Sequence, residues 1–244
     1  MKIIDMNISI GGEDAVGATI DQDYLQQLMD CYHIDEAVCW HQHALLDPMD
    51  GNQKMAQISA VSGGRVHTCA VLDPILGADC LPGTGTLLER LQQFKPACIR
   101  IFPTSCRMVL HPFYWEEILD ATQALGLPLI LDGEYTTDVF CNLPQMSVQY
   151  PNIKFILIRY GVCNARHIMP LLAKCKNIYF AIDRMLDHLQ IEEICEKYGC
   201  DKLLFGSGYP ERPMEGILGL ALYADIPDNA RDQILYKNWE VMQQ

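Results

Sequence analysis

Eight short apolar runs, each followed by a turn and then by a helix-like pattern, constrain this chain more than any other feature. They fall at Lys2–Asp5, Glu36–Trp40, Val66–Leu72, Ala97–Phe102, Leu127–Leu131, Lys154–Ile158, Asn177–Ile182 and Lys202–Phe205. Some are almost unbroken, as in the LPLIL of 127–131 and the FILI of 155–158. A strand that is apolar at every position is covered on both faces, the situation of a parallel sheet flanked by helices. The gaps carry helical spacing. Asp21–His33 places Leu25, Leu28 and Cys31 three apart. Pro112–Leu125 sets Trp115, Ile118, Leu119, Thr122 and Leu125 on one side, and Gly126 and Pro128 then end it. Ile191–Tyr198 runs into Gly199, read as a left-handed helix cap. Strand–helix alternation predicts parallel pairing through helical crossovers. Eight cycles in 244 residues predict a closed (β/α)8 TIM barrel of the α/β class, which typically needs about 250. The prediction is one domain over residues 1–244. No Gly-x-Gly-x-x-Gly follows the first run, which speaks against dinucleotide binding.

Charge narrows the partners. A formal net charge of −13 opposes binding to nucleic acid or to an anionic membrane, both of which call for basic surfaces. No apolar run approaches the roughly 20 residues of a membrane span. The opening MKIIDMNISI lacks the features of a secretory leader, so a cytoplasmic protein is expected. Eleven cysteines without a Cys-x-x-Cys pair read for the most part as small buried hydrophobes in a reducing compartment, with the Cys195/Cys200 spacing incidental. Exposed apolar helix faces are compatible with a homo-oligomer.

In such a barrel the chemistry sits at the C-terminal ends of the strands. In strand order these positions are Asn7 and Ser9; His41 and His43; Asp73-Pro74; Arg100 and Phe102; Asp132 and Glu134; Arg159 and Tyr160; Asp183; and Ser207, Gly208 and Tyr209.

Several stretches around these positions resemble one family. They are MKIIDMNISIGG, VLDPIL, ALGLPLILDGEY, YPNIKFILIRYG, KNIYF, YGCDKLLFGSGYPERP and the tail ADIPDNARDQILYKN. In this order they are similar to the amidohydrolase-related family of the amidohydrolase 2 type, typified by aminocarboxymuconate-semialdehyde decarboxylase. That resemblance covers nearly the whole chain and implies a metal-dependent hydrolase or decarboxylase barrel. It also implies metal ligands at His-x-His after strand one, at a His ending strand five, at the His of an H-x-G motif at strand six and at the Asp of F-G-S-D-x-P. Here those positions read Asn7 and Ser9, Asp132, Arg159 and Gly208. The family's Asp at the last position orients or deprotonates the attacking water, so its replacement implies loss of the general base as well.

A zinc-like site wants three or four His, Cys or carboxylate ligands, and a permanently cationic Arg159 repels a metal ion. The expectation is therefore no metal and no cofactor, with Arg159 paired to Asp132 or Glu134 in the vacated space. Asp132, Glu134 and Arg159 are the candidate catalytic groups. Arg100, Asn7, Ser9, Asp183 and Tyr209 are the candidate ligand-binding groups.

Each carries an alternative. Asp132 and Glu134 serve either as an acid/base pair or as charge compensation for Arg100 and Arg159. The two arginines either grip a carboxylate or phosphate or pair internally with Asp132, Glu134 and Asp183. His41-x-His43 imitates a metal pair with Asp73 or Glu134, or is a surface loop. Cys163 is a nucleophile only beside a base the sequence does not identify. His67, His111 and His188 read as structural or peripheral. Three functions follow: a barrel binding a small anionic ligand without metal, a metal-independent hydrolase, lactonase or decarboxylase, and a metal enzyme relocated to His41/His43. Whether any catalysis is retained is left open.

Overall fold

The computed structural model describes residues 1–74, 86–133, 138–161 and 164–244. The candidates Glu134 and Cys163 lie outside them.

Eight strands, β1 (Ile4–Ile10), β2 (Glu36–His41), β3 (Val66–Leu72), β4 (Cys98–Ile101), β5 (Leu129–Asp132), β6 (Phe155–Ile158), β7 (Ile178–Ala181) and β8 (Leu203–Leu204), pair in sequence order. Every pairing is parallel. The first and last strands meet through Met6 N–H to Phe205 O at 3.0 Å and Ser9 N–H to Tyr209 O at 2.9 Å. That contact turns the sheet into the expected barrel. The crossovers carry helices α1 (Gln22–Cys31), α2 (Pro48–Val61), α3 (Leu87–Phe94), α4 (Pro112–Leu125), α5 (Asp138–Gln149), α6 (Ala165–Lys174) and α7 (Gln190–Tyr198). Helix α8 (Met214–Tyr223) and a helical tail from Asp228 to Met242 follow β8.

The chemistry of the ends explains where the helices start and stop. Asp21 caps α1 by accepting from Tyr24 N–H, and Gly126 ends α4 in the left-handed region at φ 66°. Gly199 ends α7 at φ 80° and ψ 167°, a conformation open to glycine but outside the left-handed helical cap expected from sequence. On α1 the buried face is Leu25, Leu28 and Met29, while Cys31 is exposed.

Period-two alternation then sorts the strand residues into two cores. Ile99, Leu129, Leu131, Phe155, Leu157 and Phe180 face the helices. Cys69, Val71, Cys98, Ile130, Ile156, Ile158 and Leu204 fill the barrel, and Trp239 and Met242 of the tail close its lower end. Asn238 fixes the tail by donating to the carbonyls of Cys200 and Leu203 at 2.7 and 2.8 Å.

Strand β1 runs past the apolar stretch Lys2–Asp5 to Ile10, so that Asn7 and Ser9 lie at its end as expected, but its register shifts between Asp5 and Ile8. The buried Asp5 carboxylate holds this bulge by accepting from Asn7 N–H at 3.0 Å and from Ser207 N–H at 2.9 Å. One extra residue reverses the alternation. Ile4 and Met6 belong to the interior cluster, whereas Ile8 and Ile10 join the outer one. Asn7 and Ser9 are thereby turned to the barrel mouth.

The cysteine expectation needs two corrections. Cys195 and Cys200 are joined by a disulfide, because α7 ends between them and folds the chain back to a Cα separation of 4.8 Å. Cys31 and Cys141 are exposed, whereas Cys39, Cys69 and Cys98 are buried in the sheet. Burial pushes the Cys39 and Cys98 thiols well above their ordinary range, the condition of inert packing groups.

Candidate functional site

The inward-facing alternation of β4 and β5 carries one step past the apolar interior and presents Arg100 and Asp132. Their Nη2 and Oδ2 atoms lie 2.7 Å apart, with side chains 2% and 0% exposed. Arg100 also donates from Nη1 to Asn7 Oδ1 at 2.8 Å. Its Cζ lies 4.6 Å from the Trp40 ring centroid and 4.5 Å from that of Phe102. A guanidinium is weakly hydrated and flat, so two aromatic faces and two acceptors can hold it where an ammonium group would not be satisfied.

Arg159 reaches the same carboxylate from β6. Alternation points Ile158 into the barrel, so the next residue would face the helices. Arg159 instead adopts φ 50°, a left-handed conformation uncommon for a residue with a Cβ. Its backbone N–H donates to Asp183 Oδ2 at 3.2 Å. Its Nη1 lies 3.4 Å from Asp132 Oδ2 and its Nη2 lies 3.0 Å from Glu211 Oε1. The expected Arg159–Asp132 pair is present, but Arg100 is the closer partner.

Asp183 continues the inward face of β7 through Tyr179 and Ala181, and it is buried. Burial raises its carboxyl to about 7, against the opposing effects of Arg184 and of the Arg159 N–H. Arg184 Nε lies 3.5 Å from Asp183 Oδ2, and Arg184 Nη2 lies 3.4 Å from Glu211 Oε2. Gly208, at φ 74°, leaves a notch here: a Cβ on it would stand 3.7 Å from Asn7 Nδ2 and 4.0 Å from Asp183 Oδ2.

These groups surround a cavity of about 180 Å³ at the barrel mouth, lined by Asn7, Ser9, Trp40, Gln42, Leu45, Arg100, Arg159, Gly208, Tyr209 and Glu211. Ser9 Oγ accepts from Gln42 Nε2 at 3.1 Å. The Tyr209 and Tyr24 hydroxyls are 2.6 Å apart, and Tyr24 donates to Asp14 at 2.7 Å. Among the described residues, Asn7 Nδ2, Arg100 Nε and Arg159 Nε are buried donors without a hydrogen-bond partner. Asn7, Arg100 and Arg159 line the cavity as residues, whereas these three atoms are themselves shut off from solvent.

Five candidates, Asn7, Ser9, Arg100, Arg159 and Tyr209, line this cavity, with Asp132 and Asp183 directly behind it. The histidine pair does not join them. Strand β2 ends at His41, a 3-10 turn (Gln42–Leu45) follows, and the two rings meet edge-on with centroids 6.4 Å apart. His43 pairs with Asp50 at 3.0 Å rather than with Asp73. His67 bonds Glu36 at 2.7 Å, and His111 caps α4. Among the described residues no cluster of three or more His, Cys, Asp or Glu side chains is arranged to hold a metal ion. No helix among them is long and apolar enough to cross a membrane.

Trp40, Gln42, Arg184 and Glu211 were not singled out from sequence. Parity along β2 flags Trp40 and Gln42, and Glu211 lies within the family-like stretch YGCDKLLFGSGYPERP.

The comparisons with known proteins agree with this architecture. The family model described as Amidohydrolase matches residues 102–238. Similar solved structures include a 2,6-dihydroxybenzoate decarboxylase complexed with 2,6-dihydroxybenzoate (TM-score 0.75, 12% identity, 100% of this chain and 99% of that one). A 5-carboxyvanillate decarboxylase from Sphingomonas paucimobilis superposes with TM-score 0.71 at 13% identity, over 99% and 98% of the two chains. A 4-oxalomesaconate hydratase from Rhodopseudomonas palustris gives 0.73 at 14%, over 99% and 95%. At these identities the likeness is one of fold. No curated protein matches the sequence significantly.

Proposed function

The chain belongs to the amidohydrolase family, and from that premise we propose that it binds a small carboxylate-bearing molecule at the barrel mouth without a catalytic metal. The observation that carries this reading is the pair of guanidiniums that line the cavity, Arg100 and Arg159.

The donor set does not fit a divalent cation. Asn7 Oδ1 already accepts from Arg100, and Asp132 Oδ2 faces the guanidiniums of Arg100 and Arg159. A metal ion entering here would meet two fixed positive charges and no imidazole. Family resemblance places metal-ligand positions at Asn7, Ser9, Asp132, Arg159 and Gly208. In this chain the same positions build a pocket suited to anions. A carboxylate ligand is also consistent with the neighbours in fold, whose names refer to 2,6-dihydroxybenzoate, 5-carboxyvanillate and 4-oxalomesaconate.

A second reading, metal-independent hydrolysis or decarboxylation, is favoured by one observation. Asp183 sits buried beside the notch with its carboxyl raised to about 7, where a proton can be held or released near neutral pH. Asp132 suits that work less well, since its Oδ2 is engaged by two guanidiniums.

Thermal-shift measurements with benzoate, 2,6-dihydroxybenzoate and 5-carboxyvanillate, each against its amide, test the binding reading. Stabilisation by the acids alone, lost in Arg159→Ala, is the expected result. Equal responses to acids and amides, or full retention in Arg159→Ala, overturns it. Turnover of any of the acids, abolished in Asp183→Asn, would put the second reading first.

A further inference from the structure

Glu211, on the loop after β8, is held in an unusual way for a surface carboxylate. Its Oε1 lies 3.0 Å from Arg159 Nη2 and its Oε2 lies 3.4 Å from Arg184 Nη2. Each oxygen of one carboxylate thus faces its own guanidinium. Three carboxylates share the arginines at the mouth, and they differ in their freedom to leave. Asp132 and Asp183 are 0% and 1% exposed at the ends of β5 and β7. The Glu211 side chain is 45% exposed and lines the cavity. Swinging it into water gives up its two ion pairs, but the carboxylate is already half exposed and gains hydration in exchange. Its departure opens Arg159, 21% exposed in its presence, to whatever occupies the cavity.

We propose that Glu211 is an internal stand-in for the ligand's carboxylate, occupying a subsite between Arg159 and Arg184 from which a bound acid displaces it. The proposal rests on the carboxylate-binding reading above. Binding is then an exchange of one carboxylate for another, and the arginines keep a counter-charge throughout. The apparent affinity is lowered by the fraction of molecules in which Glu211 fills the seat. The subsite therefore discriminates against neutral analogues and against acids too bulky to reach both arginines.

Calorimetric titration of benzoate into wild type, Glu211→Gln and Glu211→Asp tests this. Glu211→Gln removes the competing charge. Glu211→Asp keeps the charge on the loop but shortens the arm by one methylene, so it cannot span both arginines. Both variants are expected to bind benzoate about tenfold more tightly than wild type, the relief of a seat filled about nine-tenths of the time. Benzoate binding by Glu211→Gln should also weaken more steeply with salt than that of wild type, since exchange has become simple addition of an anion. Tightening in Glu211→Gln with wild-type affinity in Glu211→Asp overturns the stand-in, because only the field of the charge was then acting. Wild-type or weaker affinity in both overturns it too, while leaving the carboxylate site intact. Failure of all three proteins to bind any of the acids named above overturns the carboxylate reading itself.

Discussion

The Arg100 guanidinium and the Asp132 carboxylate meet at 2.7 Å inside the barrel mouth, with side chains 2% and 0% exposed. Arg100 also bonds Asn7, so one cation ties together two of the positions at which family resemblance places metal ligands.

Arg100→Met should be strongly destabilising, by about 3 kcal/mol or more, because it leaves a buried carboxylate short of its nearer counter-charge. Adding Asp132→Leu should recover part of that loss. Urea denaturation of the three proteins reads both effects, and an unaltered midpoint for Arg100→Met would remove the pair from the account of stability.

Asp183 predicts a pH dependence. Its carboxyl is raised to about 7 in the folded protein by burial, against an ordinary value near 3.9 in the unfolded chain. Between these values the folded state holds a proton that the unfolded state has released, so stability falls as pH rises from about 4 to 7. Asp5, raised in the same direction by burial, adds to the slope. Asp183→Asn should flatten the decline in melting temperature over that range and gain most over wild type above pH 7. An identical pH profile in the variant would show that Asp183 ionises normally.

Metal content offers an independent check. Protein produced with supplementary zinc and manganese and then dialysed is expected to carry far less than one equivalent of either by elemental analysis. A full equivalent that survives dialysis and disappears in Asp132→Asn would refute the anion-site reading.

At the lower end, Trp239 is 4% exposed and packs into the barrel interior. Trp239→Ala should cost about 3–5 kcal/mol, as large-to-small changes in a core do. The acid-specific thermal shift should survive it, since the mouth is at the opposite end. Loss of that shift in a folded variant would mean the two ends are coupled.

Much of the fold was legible in sequence because its signals are local. FILI needs no partner to declare itself a doubly covered strand, and Gly126 stops α4 by its own backbone freedom. The alternation of β4, β5 and β7 likewise places Arg100, Asp132 and Asp183 on one face. The bulge in β1 was not legible, since it depends on Asp5 bonding Ser207, a residue 202 positions away. The Cys195–Cys200 bond was missed for a related reason: spacing alone does not say how the chain turns after α7.

The sequence by itself determined the eight-fold alternation, the family-like order of its segments and the residue types at the strand ends. Only the tertiary structure decided that Arg100 rather than Arg159 is the nearer partner of Asp132, and that Glu211 sits between Arg159 and Arg184. The reason is physical. Strand formation and capping are settled over a few neighbouring residues, whereas the pairing of buried charges depends on distances between groups brought together from different strands. Those distances are fixed only when the barrel closes.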